Sequence, residues 1–274
     1  MTLPYHAPDN ALPPIPTPED VENEPRTTFH IADIDKHVTT FRIKNTPYVV
    51  KVNPNILLLN EAENLKFLNE QAHIKLKIPK LYAAFAHQGG DPLHISHRYR
   101  GERRSTIDPS ELPTYYYMVI EYIDGIPLRE FQQLSLANDQ LMKGIGHKIG
   151  EQLQLLRSIP TSAPRYHGRV NEQPFHPSFN LMQGGNSQHG PFYSFEAFRA
   201  QIYASILLAG LGRVVLNRPR LPRPQGRLYA AGILDGFQES GGNQDPKLSH
   251  LDMSRQNVLV KRIADESARL EGSI

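Results

Sequence analysis

His250, Asp252 and Asn257 stand at the spacing His-x-Asp-x4-Asn, within His250-Leu-Asp252-Met-Ser-Arg-Gln-Asn257. In phosphoryl transfer, this spacing sets a carboxylate beside an attacking hydroxyl and an amide oxygen on Mg²⁺. Asp252 would accept the hydroxyl proton or orient the nucleophile. Asn257 would bind Mg²⁺, and His250 would brace the loop. That chemistry needs an apolar strand immediately afterwards, and Val258-Leu259-Val260 supplies one. The plain alternative is a turn in which Asp252 caps backbone amides and Asn257 fills a bend.

Two further residues gain weight from their order. Lys51 lies in the Val-rich run Tyr48-Val-Val-Lys-Val52, where strand alternation puts Val50 and Val52 on one face and Lys51 with Val49 on the other. A lysine inside such a strand calls for an anionic partner or ligand, because an unpaired buried ammonium is costly. Otherwise it lies at an edge and reaches water. Glu61 opens the next helix, where it can pair with Lys51 and hold it toward ligand phosphates. The helix macrodipole alone would also favour a carboxylate there.

The elements that must position these groups can be read along the chain. Thr39–Ile43 and Tyr48–Val52 read as strands around a turn at Lys44–Pro47. Residues 57–71 read as a helix, with Asn60 as cap, Glu63 three residues on, and Leu65 and Leu68 facing inward. Ile78–Phe85 and Tyr115–Ile123 read as further strands, the latter ended by Asp124-Gly125, and polar residues 87–113 as a long hairpin loop. Helices follow. Leu141, Ile145, Ile149, Leu153 and Leu156 recur at helical spacing, and residues 196–210 form a second such pattern with Phe198, Ile202, Ile206 and Ala209 inward. Strands first and helices later describe an α+β protein.

Composition narrows the class. The 274 residues carry a net charge of +2, which gives no global field for nucleic acid or membrane. Cysteine is absent, which removes disulfides, thiolate metal sites and a cysteine nucleophile, and fits a reducing, cytoplasmic setting. No run approaches 18 apolar residues, so no membrane span is expected. Residues 1–26 hold prolines at 4, 8, 13, 14, 16, 18 and 25 and read as a disordered or extended arm. Arg218-Pro-Arg-Leu-Pro-Arg-Pro224 reads as a basic, Pro-rich loop, and the 12 histidines show no zinc spacing.

At these residues the chain resembles the aminoglycoside phosphotransferase and choline kinase-like family, particularly its fungal members. The family loop His-Gly-Asp-Leu-x-x-x-Asn-Ile-Leu is similar to His250–Leu259, with Leu251 in place of the Gly. Val49-Val-Lys51, Glu61–Leu68, Ile78-Pro-Lys-Leu-Tyr82, Glu121-Tyr-Ile-Asp-Gly125 and Gly190-Pro-Phe192 resemble further family segments, together spanning about residues 40–260. The resemblance implies a protein kinase-like fold in two lobes. These would be a small antiparallel-sheet N-lobe over 27–123 and a mainly helical C-lobe over 124–274, incomplete at its C-terminal end. It implies ATP and Mg²⁺ as cofactors, with backbone groups of Glu121 and Ile123 meeting adenine. It implies transfer of the γ-phosphate to the hydroxyl of a small molecule.

The family then places a strand and an Asp-Trp-Glu-type motif after the loop, and the Asp holds Mg²⁺. Asp265 is the one later Asp, and residues 261–271 read as charged and helix-prone. The alternative expectation is therefore a catalytically impaired pseudokinase or truncated kinase-like module, for which a protein partner is open.

Overall fold

The alternation in Tyr48–Asn53 is realised as a strand whose inner face is fully closed. Tyr48, Val50 and Val52 are all 0% exposed, whereas Val49 and Lys51 are only half-buried. Fully burying a valine contributes about 1.5–3 kcal/mol, so this pattern fixes which face turns inward. The computed structural model describes residues 1–8, 13–23, 39–71, 73–89, 112–133, 138–161, 166–175, 190–202, 204–205, 246–248, 255–262 and 270–273.

In chain order the elements are β1 (Tyr5–His6), α1 (Pro18–Asn23), β2 (Thr39–Arg42), β3 (Tyr48–Asn53), α2 (Leu57–Glu70), β4 (Leu81–Gln88) and β5 (Thr114–Glu121). They continue with β6 (Ile126–Pro127), α3 (Leu128–Gln133), α4 (Asp139–Ser158), a 3₁₀ turn at Val170–Glu172, β7 (Leu259–Arg262) and β8 (Leu270–Ser273). Helix and antiparallel sheet are thus mixed, as the α+β reading expected. No helix among the described residues is long and apolar enough to cross a membrane.

The larger sheet has the order β1-β4-β5-β3-β2 and is antiparallel throughout. β2 and β3 form the expected hairpin, with the Thr46 hydroxyl donating to the Ile43 carbonyl at 2.9 Å in the turn. β5 is central, so both its faces are buried. Tyr115, Tyr117 and Val119 join Tyr48, Val50 and Val52 on one face, and Met118 and Ile120 join Leu58 and Ala62 of α2 on the other.

α2 starts earlier than its predicted cap. Asn60 lies inside the helix, and the first turn is closed by the Asn55 carboxamide, which accepts from the Leu57 N–H at 3.0 Å. Asn53 in turn accepts from the Asn55 N–H at 2.7 Å, so the polar run Asn53-Pro-Asn55 makes the entry that Asn60 was expected to make.

Residues 1–26 were expected to be a disordered or extended arm. Where described, they are folded: β1 pairs with β4, and Val21 of α1 is 4% exposed within the core. Apolar Leu3, Tyr5, Ile15 and Val21, spaced among the prolines, bury enough surface to hold the arm down.

The chain divides into two compact units, Met1–Leu156 with Ser249–Ile274, and Arg157–Leu248. This is a different partition from 27–123 and 124–274. In the first unit, α3 and α4 pack on the small sheet β6-β7-β8 through Leu128, Phe131, Ile145, Val258 and Val260. Gln152 of α4 is buried because its carboxamide accepts from the Lys77 N–H at 2.8 Å.

In the second unit, His167 and Phe192 exchange backbone hydrogen bonds at 2.8 and 3.0 Å, beside helical residues 195–202. Ser194 starts that helix by accepting from the Ala197 N–H at 3.1 Å. Phe198 and Ile202 face inward as expected. Positions 206 and 209 lie outside the described residues.

Candidate functional site

Lys51 emerges on the sheet face that α2 covers. α2 runs across that face, and Glu61 sits one turn into it. The Lys51 ammonium and the Glu61 carboxylate meet in an ion pair and hydrogen bond. Their side chains keep 25% and 50% of their exposure. A pair this open contributes only about 0–1 kcal/mol to stability, so its consequence is orientation. Glu61 fixes where the ammonium points, and the ammonium stays reachable from solvent.

Glu121 ends β5 and is tied to the chain entering β4. Its N–H donates to the Lys80 carbonyl at 2.9 Å, and its carboxylate accepts from the Lys80 N–H at 3.1 Å. The Tyr122 N–H donates to the Pro47 carbonyl at 2.7 Å. Ile123 is half-buried just beyond.

The next residues carry ties that sequence reasoning missed. Asp124 pairs with Lys261 of β7 at 3.0 Å. Lys261 beside it, then Arg42 and Tyr122, hold the Asp124 carboxyl below the usual carboxylate range. The Arg42 guanidinium lies 3.6 Å over the Tyr122 ring, a cation–π contact. The exit from the large sheet is thus tethered to β2 on one side and β7 on the other. The available signal was the alternation of β7, which turns Val258 and Val260 inward and leaves Lys261 outside.

Asn257 is exposed at the end of a turn that delivers the chain into β7. The Val258 carbonyl accepts from the Leu128 N–H at 2.8 Å, and the Arg255 carbonyl from the Arg129 N–H at 3.0 Å. The apolar strand required after Asn257 is therefore present and anchored on α3. His250, Asp252 and Asp265 lie outside the described residues, as do the loop at 90–111 and the basic stretch at 218–224. Lys51, Glu61, Glu121, Ile123 and Asn257 all belong to the first unit.

Residues 261–271 read as helix-prone, yet Leu270–Ser273 is a strand paired antiparallel with β7, in the register Val260↔Gly272. Backbone pairing to an anchored strand overrides the local preference of a charged stretch.

The second unit holds a buried imidazole that sequence reasoning did not single out. His167 stacks on Phe198, with ring centroids 5.1 Å apart and planes 9° apart. Its Nε2 is buried and finds no hydrogen-bond partner among the described residues, and burial pushes its pKa below the ordinary 6.5. Next to it, the Tyr166 hydroxyl shares its one proton between the Arg169 and Gln173 carbonyls, 2.6 and 2.7 Å away. Burial, then the nearby Tyr193 and Glu172, push its pKa up. A Cβ on Gly168 would lie 2.2 Å from that hydroxyl, so only glycine fits there.

No protein-family model matches the chain, and no curated protein matches it. Among solved structures it is similar to a thermostable mutant of aminoglycoside phosphotransferase APH(4)-Ia in its apo form, with a TM-score of 0.47 and 12% identity. That similarity covers 89% of this chain and 64% of the other, so the chain spans under two thirds of that structure's length.

Proposed function

We propose that the chain is an ATP-dependent phosphotransferase acting on the hydroxyl of a small molecule. The observation that carries this reading is the Lys51–Glu61 pair, an ammonium braced by a helix carboxylate and still open to solvent. It stands in a chain whose motif order resembles aminoglycoside phosphotransferases. The strand after Asn257 gives the loop motif its required neighbour.

The residues assigned would suit a nucleotide and its metal through Lys51, an oriented cation for phosphate oxygens, and the Asn257 amide oxygen, one hard ligand for Mg²⁺. Bound MgATP would supply the phosphoryl group and neutralise its charge. Lys51 would bind phosphate oxygens, with Glu61 holding it in place. Asp252 would orient the acceptor hydroxyl and take its proton, Asn257 would ligate Mg²⁺, and His250 would brace the loop. With the Glu121 N–H engaged by Lys80, an adenine would use the Glu121 carbonyl and the Ile123 backbone.

The test is ATP consumption by the purified chain over a panel of hydroxylated and aminoglycoside-like acceptors. Acceptor-dependent turnover that falls by at least about a thousandfold in Asp252→Ala supports the assignment. Turnover that survives Asp252→Ala rejects Asp252 as the base. ATP binding without turnover and without Mg²⁺ dependence favours a non-catalytic nucleotide-binding module.

A further inference from the structure

Residues 1–23 grip the large sheet on both of its faces. Tyr5 and His6 pair with Ala84 and Ala83 and add a strand beyond β4, while the Ala7 N–H donates to the Tyr82 carbonyl at 2.8 Å. Met1 and Leu3, upstream of that strand, and Tyr5 within it pack with Leu58, Ala62 and Leu81 on the α2 side. Downstream, Ile15 and Val21 cover the opposite face. There the Tyr48 hydroxyl donates to the Pro13 carbonyl at 2.5 Å. α1 is closed by a reciprocal cap: the Asp20 carboxylate accepts from the Thr17 N–H at 2.8 Å, and the Thr17 hydroxyl accepts from the Asp20 N–H at 3.2 Å. Residues 1–8 and 13–23 therefore hold the sheet from both sides of the β4 edge, like a clip.

Without the clip, β4 would present a bare backbone edge. Beside it would lie a face holding Tyr48, Tyr82, Tyr115 and Tyr117, none more than 7% exposed at present. A bare edge flanked by apolar surface is a template for strand addition. Among the described residues the backbone grip on β4 is short, two register pairs and the Ala7 N–H bond, so side-chain burial holds the clip, and the same burial is available to an identical segment from elsewhere. Fifteen residues, 24–38, join the clip to β2. Extended, they reach about 50 Å at roughly 3.3 Å per residue, enough to serve a neighbouring molecule. Exchange preserves every contact, so cis and exchanged forms differ mainly through concentration.

We infer that the β4 edge and its two flanking faces form a strand-addition site, filled in cis by residues 1–23, that accepts the same segment of a second copy of this chain. The inference is independent of the proposed phosphotransferase activity.

The experiment places a protease site within 24–38 of the full chain, cleaves it, and adds a fluorescent peptide of residues 1–23. The labelled peptide should co-elute with the body on gel filtration. A peptide carrying Leu3→Asp and Val21→Asp should bind at least about tenfold more weakly. Failure of the labelled peptide to enter a folded, cleaved chain overturns the inference, as does equal binding of the substituted peptide. Should cleavage unfold the body, the uncut chain decides. Two differently labelled populations mixed at several hundred micromolar should develop energy transfer, lost in the Leu3→Asp/Val21→Asp chain. Transfer no greater than in that variant overturns the inference.

Discussion

Lys51 and Glu61 face each other because a strand alternates and a helix crosses its outer face, and their pair is too exposed to matter much for stability. Lys51→Met should therefore change unfolding free energy by less than about 1 kcal/mol. If the ammonium meets phosphate, the same change should weaken ATP binding by about tenfold to a hundredfold, the worth of one charge-assisted hydrogen bond. Calorimetric titration beside urea unfolding separates the two effects, and Glu61→Gln should act in the same direction.

His167 makes the opposite case, a residue whose role is legible only in three dimensions. Its folded pKa lies below its unfolded value, so the unfolded chain binds more protons as pH falls. Stability is complete above about pH 6.5 and declines below it, by up to about 1.4 kcal/mol per pH unit until the folded pKa is reached. Glu196 pulls weakly the other way. Urea unfolding at pH 5 and pH 7 should show this loss in the wild type and a smaller one in His167→Gln. An equal slope in both would contradict the assignment.

Elements with strong periodicity were readable from residue types alone. The β2–β3 hairpin, the central strand β5 and the long helix α4 follow from alternation and from the recurrence of Leu141, Ile145 and Ile149. Starts and tethers were less readable, because they depend on which side chain reaches which backbone group. Asn138 begins α4 by accepting from the Leu141 N–H at 2.8 Å, and Asn138→Ala should cost about 1 kcal/mol in urea unfolding. Gly168→Ala must displace the Tyr166 hydroxyl from two carbonyls and should cost about 1–3 kcal/mol. Gly168→Ser should be no better. β8 escaped detection because its short charged run has no pattern of its own and takes its form from pairing with β7. The same holds for Asp124 and Lys261, 137 positions apart in sequence and 3.0 Å apart in space.

At the scale of the molecule, the Pro-rich arm shows how composition misleads. Among the described residues of 1–23 regular structure is limited to β1 and α1, yet a few apolar side chains suffice to fasten them to both faces of a sheet. The sequence offers the candidate site as an ordered series: strand lysine, helix glutamate, apolar strand, the turn at Asp124-Gly125, a helical part, then the loop motif, of which His250 and Asp252 lie outside the described residues. The structure adds the Lys51–Glu61 contact and the anchoring of β7, and it adds the tethers from Arg42 and Lys261 at the exit from the large sheet that no motif announced. In the proposed function Lys51 and Asn257, 206 positions apart in sequence, serve one metal-nucleotide site. Calorimetric titration of ATP with and without Mg²⁺ into the wild type, Lys51→Met and Asn257→Ala tests it most directly. ATP binding by the wild type should depend on Mg²⁺. Lys51→Met should weaken it, and Asn257→Ala should abolish its Mg²⁺ dependence. Binding indifferent to both substitutions, or no binding by a folded wild-type chain, would contradict it.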